Sequence, residues 1–326
     1  MSHVLRPLGR LLFALGCVLA ALPVHALELR LALQATGTAR WELAAMQALG
    51  LDDKHGLTLI VREVADSRAG QIALQAREVD LILSDFVWVS LQRHGGAPVT
   101  LVPHSLSVGG LMVEPAAGIA GLADLAGKTI AISGSPVDKS YVVLKAAFHQ
   151  ATGKDLSAAA ELRFGAPPLV NELLATGQAA AALNLWNWNA RARVAGKTEL
   201  VNIPTLLTGL GLESTPPLLG WAFFEDNPQR DSVAAFIDAS FETKAALLAD
   251  DALWESLRGL MNAENDEALF IALRDGYRAG ILTGYGPREV AAAEAYFKVI
   301  LAEGGLDAVG GVAGLSPGTF WSGGFR

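Results

Sequence analysis

After Ala26 the chain alternates short apolar runs with helix-length segments, and that alternation limits its possible folds more than any other feature. The runs Glu28–Ala35, Leu57–Val64, Val79–Ser84, Val99–His104 and Gly109–Val113 are leucine-rich or β-branched, as strands covered on both faces require. Between the first four lie Trp41–Leu49, Ala69–Ala76 and Phe86–His94, whose apolar spacing of three to four residues predicts helices. Strand–helix–strand repetition points to a parallel sheet with right-handed crossovers, an α/β architecture.

The pattern breaks twice. At Glu114–Leu122 the composition shifts to Pro, Ala and Gly, and a second α/β set begins. It has strands at Lys128–Ser133 and Ala179–Leu185, and helices at Ser140–Thr152 and Pro167–Thr176. A second break at Ser214-Thr215-Pro216-Pro217 precedes Leu218–Phe224, a strand expected to return to the first sheet. After Pro228 the chain is helical: Ser232–Leu248, Ala252–Met261, Glu267–Ala279 and Arg288–Leu301, with an irregular tail from Gly304. The expectation is a discontinuous first lobe (27–113 with 216–326) and an inserted second lobe (114–215), hinged near Val113–Ala117 and Ser214–Pro217. A ligand cleft would lie where strand carboxyl ends face one another.

Residues 1–26 are read as an address. Arg6 and Arg10 precede the apolar run Leu11–Leu22, and Val24-His25-Ala26 supplies a small-x-small cleavage site, the pattern of a secretory signal peptide. The run falls short of the roughly 20 apolar residues that span a bilayer. Cys17, the single cysteine, sits inside the run in a poor lipid-attachment context. Cleavage after Ala26 leaves 23 basic against 33 acidic residues and no cysteine, since the leader holds two arginines and no acid. The mature chain is therefore expected to be exported, soluble and acidic. It has no thiolate chemistry and no basic cluster for nucleic acid.

Four strand-end segments could contact a ligand. Thr36-Gly37-Thr38, ahead of Trp41, offers hydroxyls and backbone amides at a helix start. Ser84-Asp85 ends a strand, and Asp85 could cap the next helix or accept from a ligand amine. Ser133-Gly134-Ser135, followed by Pro136-Val137-Asp138-Lys139-Ser140, reads as an anion cradle before a helix, but matches no nucleotide-binding pattern. Asn184-Leu185-Trp186-Asn187-Trp188 places two indoles two residues apart, so on a helix they cannot share a face. Gly220-Trp221 marks a further strand end. The remaining histidines, His55, His94, His104 and His149, are scattered, and no nucleophile elbow, triad or metal motif appears. Catalytic residues, metal and cofactor are all read as none.

In this order the chain resembles the periplasmic substrate-binding proteins of ABC importers, specifically the NMT1/THI5-like group of sulfonate, taurine, nitrate and thiamine-pyrimidine binders. The resemblance rests on Trp41-Glu42-Leu43, Gly56-Leu57-Thr58-Leu59, Gly70-Gln71-Ile72-Ala73-Leu74-Gln75 leading into Glu78-Val79-Asp80-Leu81, and Leu122-Ala123-Asp124-Leu125-Ala126-Gly127-Lys128, the pattern L-x-D-L-x-G-K. It implies a two-lobed type II periplasmic-binding-protein fold. A monomer would close on one small molecule and present it to a membrane permease and its ATPase. Sulfonate-type relatives imply anion contacts at Thr36–Thr38 and Ser133–Ser135. Pyrimidine-type relatives imply aromatic walls at Trp88, Trp186 and Trp221 with Asp85. Two alternatives are a periplasmic sensory or carrier module, and an enzyme on the same scaffold.

Overall fold

The computed structural model describes residues 27–323, so the leader and Cys17 lie outside the described residues. Ten strands form two five-stranded sheets. The first contains β1 (Leu27–Gln34), β2 (Leu57–Val64), β3 (Leu81–Asp85), β4 (Val99–Ser105) and β10 (Leu219–Phe224), in the order β2-β1-β3-β10-β4. The second contains β5 (Gly110–Val113), β6 (Thr129–Ser133), β7 (Glu161–Gly165), β8 (Ala181–Asn184) and β9 (Thr198–Asn202), in the order β7-β6-β8-β5-β9. In each sheet three parallel strands are followed by one antiparallel strand, β10 or β5. Each of those two is the first strand laid down after the chain changes sheets.

Helices follow the strands: α1 (Ala39–Ala48), α2 (Leu51–Lys54), α3 (Ser67–Gln75) and α4 (Phe86–His94) in the first sheet's layers. The second set is α5 (Lys139–Thr152), α6 (Leu156–Ala159), α7 (Pro167–Ala175), α8 (Trp186–Val194) and α9 (Ile203–Gly209). The C-terminal helices are α10 (Arg230–Ala249), α11 (Asp251–Glu255), α12 (Arg258–Met261), α13 (Glu267–Ala279) and α14 (Pro287–Ala308). Local chemistry sets their starts. Asp66, Asp85, Asp138 and Asp266 each cap a helix by accepting from its first amides, and Pro167 and Pro287 occupy first-turn positions.

Strand periodicity sorts the core. Leu29, Leu31 and Leu33 face one buried cluster with Trp221, Phe223 and Phe236. Their neighbour Ala32 faces another with Ile82, Leu101 and Phe224, and this second cluster continues into the second sheet through Ile130, Ile132 and Leu183.

Three expectations are corrected. First, the strand ending at Val113 was placed in the first lobe, but β5 pairs with β8 and β9 of the second sheet. The chain therefore crosses at residues 106–109, not at Val113–Ala117. The return crossing lies at 210–218. Second, residues 216–326 do not stay with the first sheet: α13 packs on α8 and α14 on α5 before the tail bridges back to β4 at Leu101↔Phe320. Third, the helix expected over Ala252–Met261 divides into α11 and α12, and α14 runs on to Ala308 through a kink at Gly305. Two strands, β7 and β9, are edge strands whose charged residues hide the apolar pattern that would have announced them.

Gly220 on β10 is paired on both sides, between Ser84 of β3 and Pro103 of β4. A Cβ there would stand 1.8 Å from Leu101 Cδ1 and 2.6 Å from the Val102 carbonyl oxygen. Gly220→Ala is expected to destabilise the fold by about 3 kcal/mol, at the upper end of ordinary overpacking costs. Chemical denaturation reads this as a lowered midpoint with unchanged slope.

Candidate functional site

Parallel strands direct their carboxyl ends, and the helix N-termini that follow, to one edge of each sheet. In the first sheet that edge carries the turn after β1, the end of β3 and the end of β4. Thr36 is exposed and Gly37 and Thr38 are half-buried. The Gly37 amide bonds to the Gln34 carbonyl at 3.0 Å, and Thr38 precedes α1 without a side-chain cap. Arg40 is engaged elsewhere, bonded to Glu63 at 2.7 Å and to the Ala35 carbonyl at 2.8 Å. Ser84 is buried and receives Gln71 Nε2 at 3.0 Å. Asp85 Oδ1 accepts from the Trp88 amide at 2.9 Å, so Asp85 does cap α4, and Trp88 is half-buried on the first turn.

On the second sheet, Gly134 and Ser135 are exposed and Ser133 is half-buried. The cradle expected here is filled from within, because Asp138 Oδ1 accepts from the Ser140 and Tyr141 amides at 2.9 and 3.2 Å. The amides that could have faced a free anion are bonded to the chain's own carboxylate. Burial pushes the Asp138 carboxyl above its usual range, against those amide hydrogen bonds. Gly134 takes a positive φ of 97° where Asp138 folds beneath it. Asn184 is buried and spends both ends of its amide locally: Nδ2 donates to the Pro167 carbonyl, and Oδ1 accepts from the Leu185 amide.

Two contacts join these edges. Lys139, the first residue of α5, reaches Asp85 with Nζ 3.4 Å from Oδ1, both side chains half-buried. Trp186 crosses to Trp41 edge-on, with ring centroids 6.0 Å apart, and to Tyr277 at 6.3 Å. A Cβ on Gly276 would stand 2.9 Å from the Trp186 ring, so the glycine makes the socket. Trp41 is buried against Trp186, Trp254 and Tyr277. Trp221, expected as an aromatic wall, is instead a core residue, packed on His104 and Phe236 at 5.1 and 5.0 Å. Its position on β10 alternates inward, away from any cleft surface.

Sequence reasoning missed a buried charge network behind this aromatic group. Glu42 on α1 is fully buried. Its Oε2 accepts from His104 Nε2 at 2.9 Å and from the Tyr277 hydroxyl at 2.8 Å, while Oε1 accepts from Ser240. Lys244 Nζ, also buried, lies 3.6 Å from Oε2. Burial alone would raise the Glu42 carboxyl; the charges of Lys244 and His104 and the hydrogen bonds from His104 and Ser240 outweigh it and hold it at about 2. Burial and the charge of Lys244 lower His104, against the pull of the Glu42 carboxylate. One signal was available: Lys244 opens onto the apolar run 245–249 of α10, and a lysine buried in such company must find a counter-charge.

The family model described as NMT1/THI5 like matches residues 44–248. Among solved structures, the alkanesulfonate-binding protein SsuA from Xanthomonas axonopodis pv. citri, bound to MOPS, superposes with a TM-score of 0.67 at 16% identity, over 86% of this chain and 94% of that one. The periplasmic aliphatic sulphonate binding protein SsuA from Escherichia coli gives 0.65 at 15% identity, over 86% and 88%. An ABC transporter structure from Parabacteroides distasonis gives 0.65 at 12% identity, over 90% and 98%. At these identities the likeness is one of fold, the two-sheet periplasmic-binding-protein architecture. No curated protein sequence matches the chain.

Glu42→Gln strands the Lys244 ammonium in a dry site, and a loss of about 3–5 kcal/mol is expected in denaturant unfolding at neutral pH. The carboxyl titrates at about 2 in the folded chain against 4.5 ordinarily. Its contribution is therefore complete above about pH 5 and is lost as pH falls toward 2. Wild-type stability should decline across that window, with a shallower decline in E42Q.

Proposed function

Since the chain belongs to the NMT1/THI5-like family, we propose that it is the solute-binding component of an ABC import system. It captures one small organic molecule between the strand-end loops of the two sheets and presents it to a membrane permease. The observation that carries this reading is the pair of strand-end edges, joined by the polar contact between Asp85 and Lys139. That arrangement suits a molecule gripped from both sides.

The sheets act as lobes hinged at residues 106–109 and 210–218, the two places where the chain changes sheets. The first crossing is tied to the end of α13, with the Leu106 amide on the Gly280 carbonyl at 2.8 Å and Ser107 Oγ on the Gly276 carbonyl at 3.1 Å. Ligand closes the lobes only to the extent that it binds the closed form more tightly. The sulfonate-binding neighbours favour a small sulfonate or aminosulfonate, and the half-buried Trp88 beside Asp85 leaves room in the same reading for an aminopyrimidine. Among the described residues no helix is long and apolar enough to cross a membrane, and the amino-terminal leader of the sequence agrees with a periplasmic location.

A thermal-shift panel of alkanesulfonates, aminosulfonates and aminopyrimidines tests the reading. A concentration-dependent rise in melting temperature is expected for one class, with a contracted scattering profile on binding. Consumption of the bound molecule, or an envelope unchanged at saturation, would overturn it. Asp85→Asn keeps an acceptor for the Trp88 amide but removes the charge facing Lys139. It should weaken the best ligand more than tenfold, about 1.4 kcal/mol, with little change in the ligand-free melting temperature.

A further inference from the structure

The edge of a sheet offers a row of amides and carbonyls to any passing strand, and chains guard their edges accordingly. Three of the four edges here are guarded. On β4 the tail does it: the Leu101 amide donates to the Thr319 carbonyl at 3.0 Å, and the Leu101 carbonyl accepts from the Trp321 amide at 2.9 Å. The β7 edge carries Glu161 paired to Arg163, and β9 carries Glu199 paired to Arg193. β2 is the exception. Its centre is Leu59-Ile60-Val61, with Ile60 and Val61 45% and 41% exposed, and no strand pairs with its outer side among the described residues.

The pairing of β2 with β1 fixes which groups point outward. The Leu27 amide donates to the Gly56 carbonyl and the Ala35 amide to the Val64 carbonyl, with unbroken register between them. Backbone groups alternate sides along a strand, so the even-numbered residues bond to β1. Leu57, Leu59, Val61 and Glu63 therefore present their amides and carbonyls to the outside.

We propose that this edge pairs with the same edge of a second copy, antiparallel about a two-fold axis, so that two five-stranded sheets become one. Only the alignment centred on Ile60 pairs every outward group: Leu57 with Glu63 and Leu59 with Val61 of the second copy, and the reverse. Ile60 then meets its own copy on the axis. Arg62 lies opposite Thr58, so no like charges are opposed, and Arg62 and Glu63 keep their own partners Glu78 and Arg40. An alignment centred on Arg62 would set arginine against arginine. This self-complementarity selects a second copy over an unrelated strand. β2 also lies at the opposite end of its sheet from β10 and β4, so pairing there leaves the crossings free. A single strand edge buries less than the roughly 1,200–2,000 Å² of a standard interface, so the dimer is expected to be weak and concentration-dependent.

Sedimentation velocity on the ligand-free exported chain, from micromolar to millimolar concentration, tests the proposal. A dimer that grows with concentration is expected, and a monomer throughout overturns it. Ile60→Lys puts two ammonium groups on the axis and should weaken the dimer more than about tenfold with the melting temperature unchanged. Val61→Pro removes an outward amide that β1 does not use and should do the same. A dimer that survives Ile60→Lys belongs to another face and overturns the proposal, whether or not Val61→Pro folds. The register has its own test, since cleavage after Ala26 leaves no other cysteine. Opposed residues of a non-hydrogen-bonded pair stand about 4.5 Å apart at Cα, within the roughly 4.4–6.8 Å of a disulfide. Ile60→Cys should therefore give a covalent dimer on mild oxidation, while Val61→Cys, which opposes Leu59, should not. An Ile60→Cys chain that stays uncrosslinked, or a Val61→Cys chain that crosslinks as readily, overturns the pairing.

Discussion

The passage between the two sheets is possible only because Gly109 and Gly110 carry no side chain. A Cβ on Gly109 would stand 1.6 Å from the Asn184 carbonyl oxygen, and one on Gly110 would stand 2.7 Å from that of Val201. With backbone pressed on backbone, β5 enters the second sheet between β8 and β9 and antiparallel to both. The return strand β10 enters the first sheet in the same sense, between β3 and β4. These two insertions leave the three parallel strands of each sheet with their carboxyl ends at an edge close to the crossings. The placement of those strand ends follows from how the chain changes sheets.

The region beside the first crossing is held by charge. His104 lies near the end of β4, just before the chain leaves the sheet, and donates to the carboxylate of Glu42. The same carboxylate holds Ser240 of α10 and Tyr277 of α13, with Lys244 alongside. One desolvated acid thus ties together α1, β4, α10 and α13. An apolar group of equal volume could match its stability, but would not orient four elements through directional bonds. Tyr277 in turn packs on Trp41 and Trp186, so this acid also positions the aromatic contact between the sheets.

Elements with a clear apolar run or a capped amphipathic pattern were legible in the sequence to within a residue or two. Leu57–Val64, although an edge strand, was read at the bounds it occupies from its run Leu59-Ile60-Val61, and Phe86–His94 from its capped amphipathic pattern. Sheet membership was not legible for β5. Its four residues are equally apolar in either sheet, and only the glycine crowding at its start tells where it goes. Edge strands β7 and β9 escaped because Glu161, Arg163 and Glu199 are charged residues that a solvated edge tolerates. The helical tail was read as helices, but packing partners such as α5 for α14 are fixed by tertiary fit that no local pattern encodes.

The site divides the same way. Residues on strand-end loops could be named from sequence, because a strand followed by short polar residues and a helix announces itself. The buried network around Glu42 could not, since Lys244 and Tyr277 arrive from helices more than two hundred residues beyond it. Beside Ser133–Ser135, the start of α5 is answered by the chain's own carboxylate. A helix N-terminus does attract an anion, but Asp138, fixed to the chain at that position, competes at an effective concentration no free ligand matches. Asp85 does the same for α4. Both helix dipoles are thus answered from within the chain, and the first amides of α4 and α5 are already bonded to carboxylates fixed beside them.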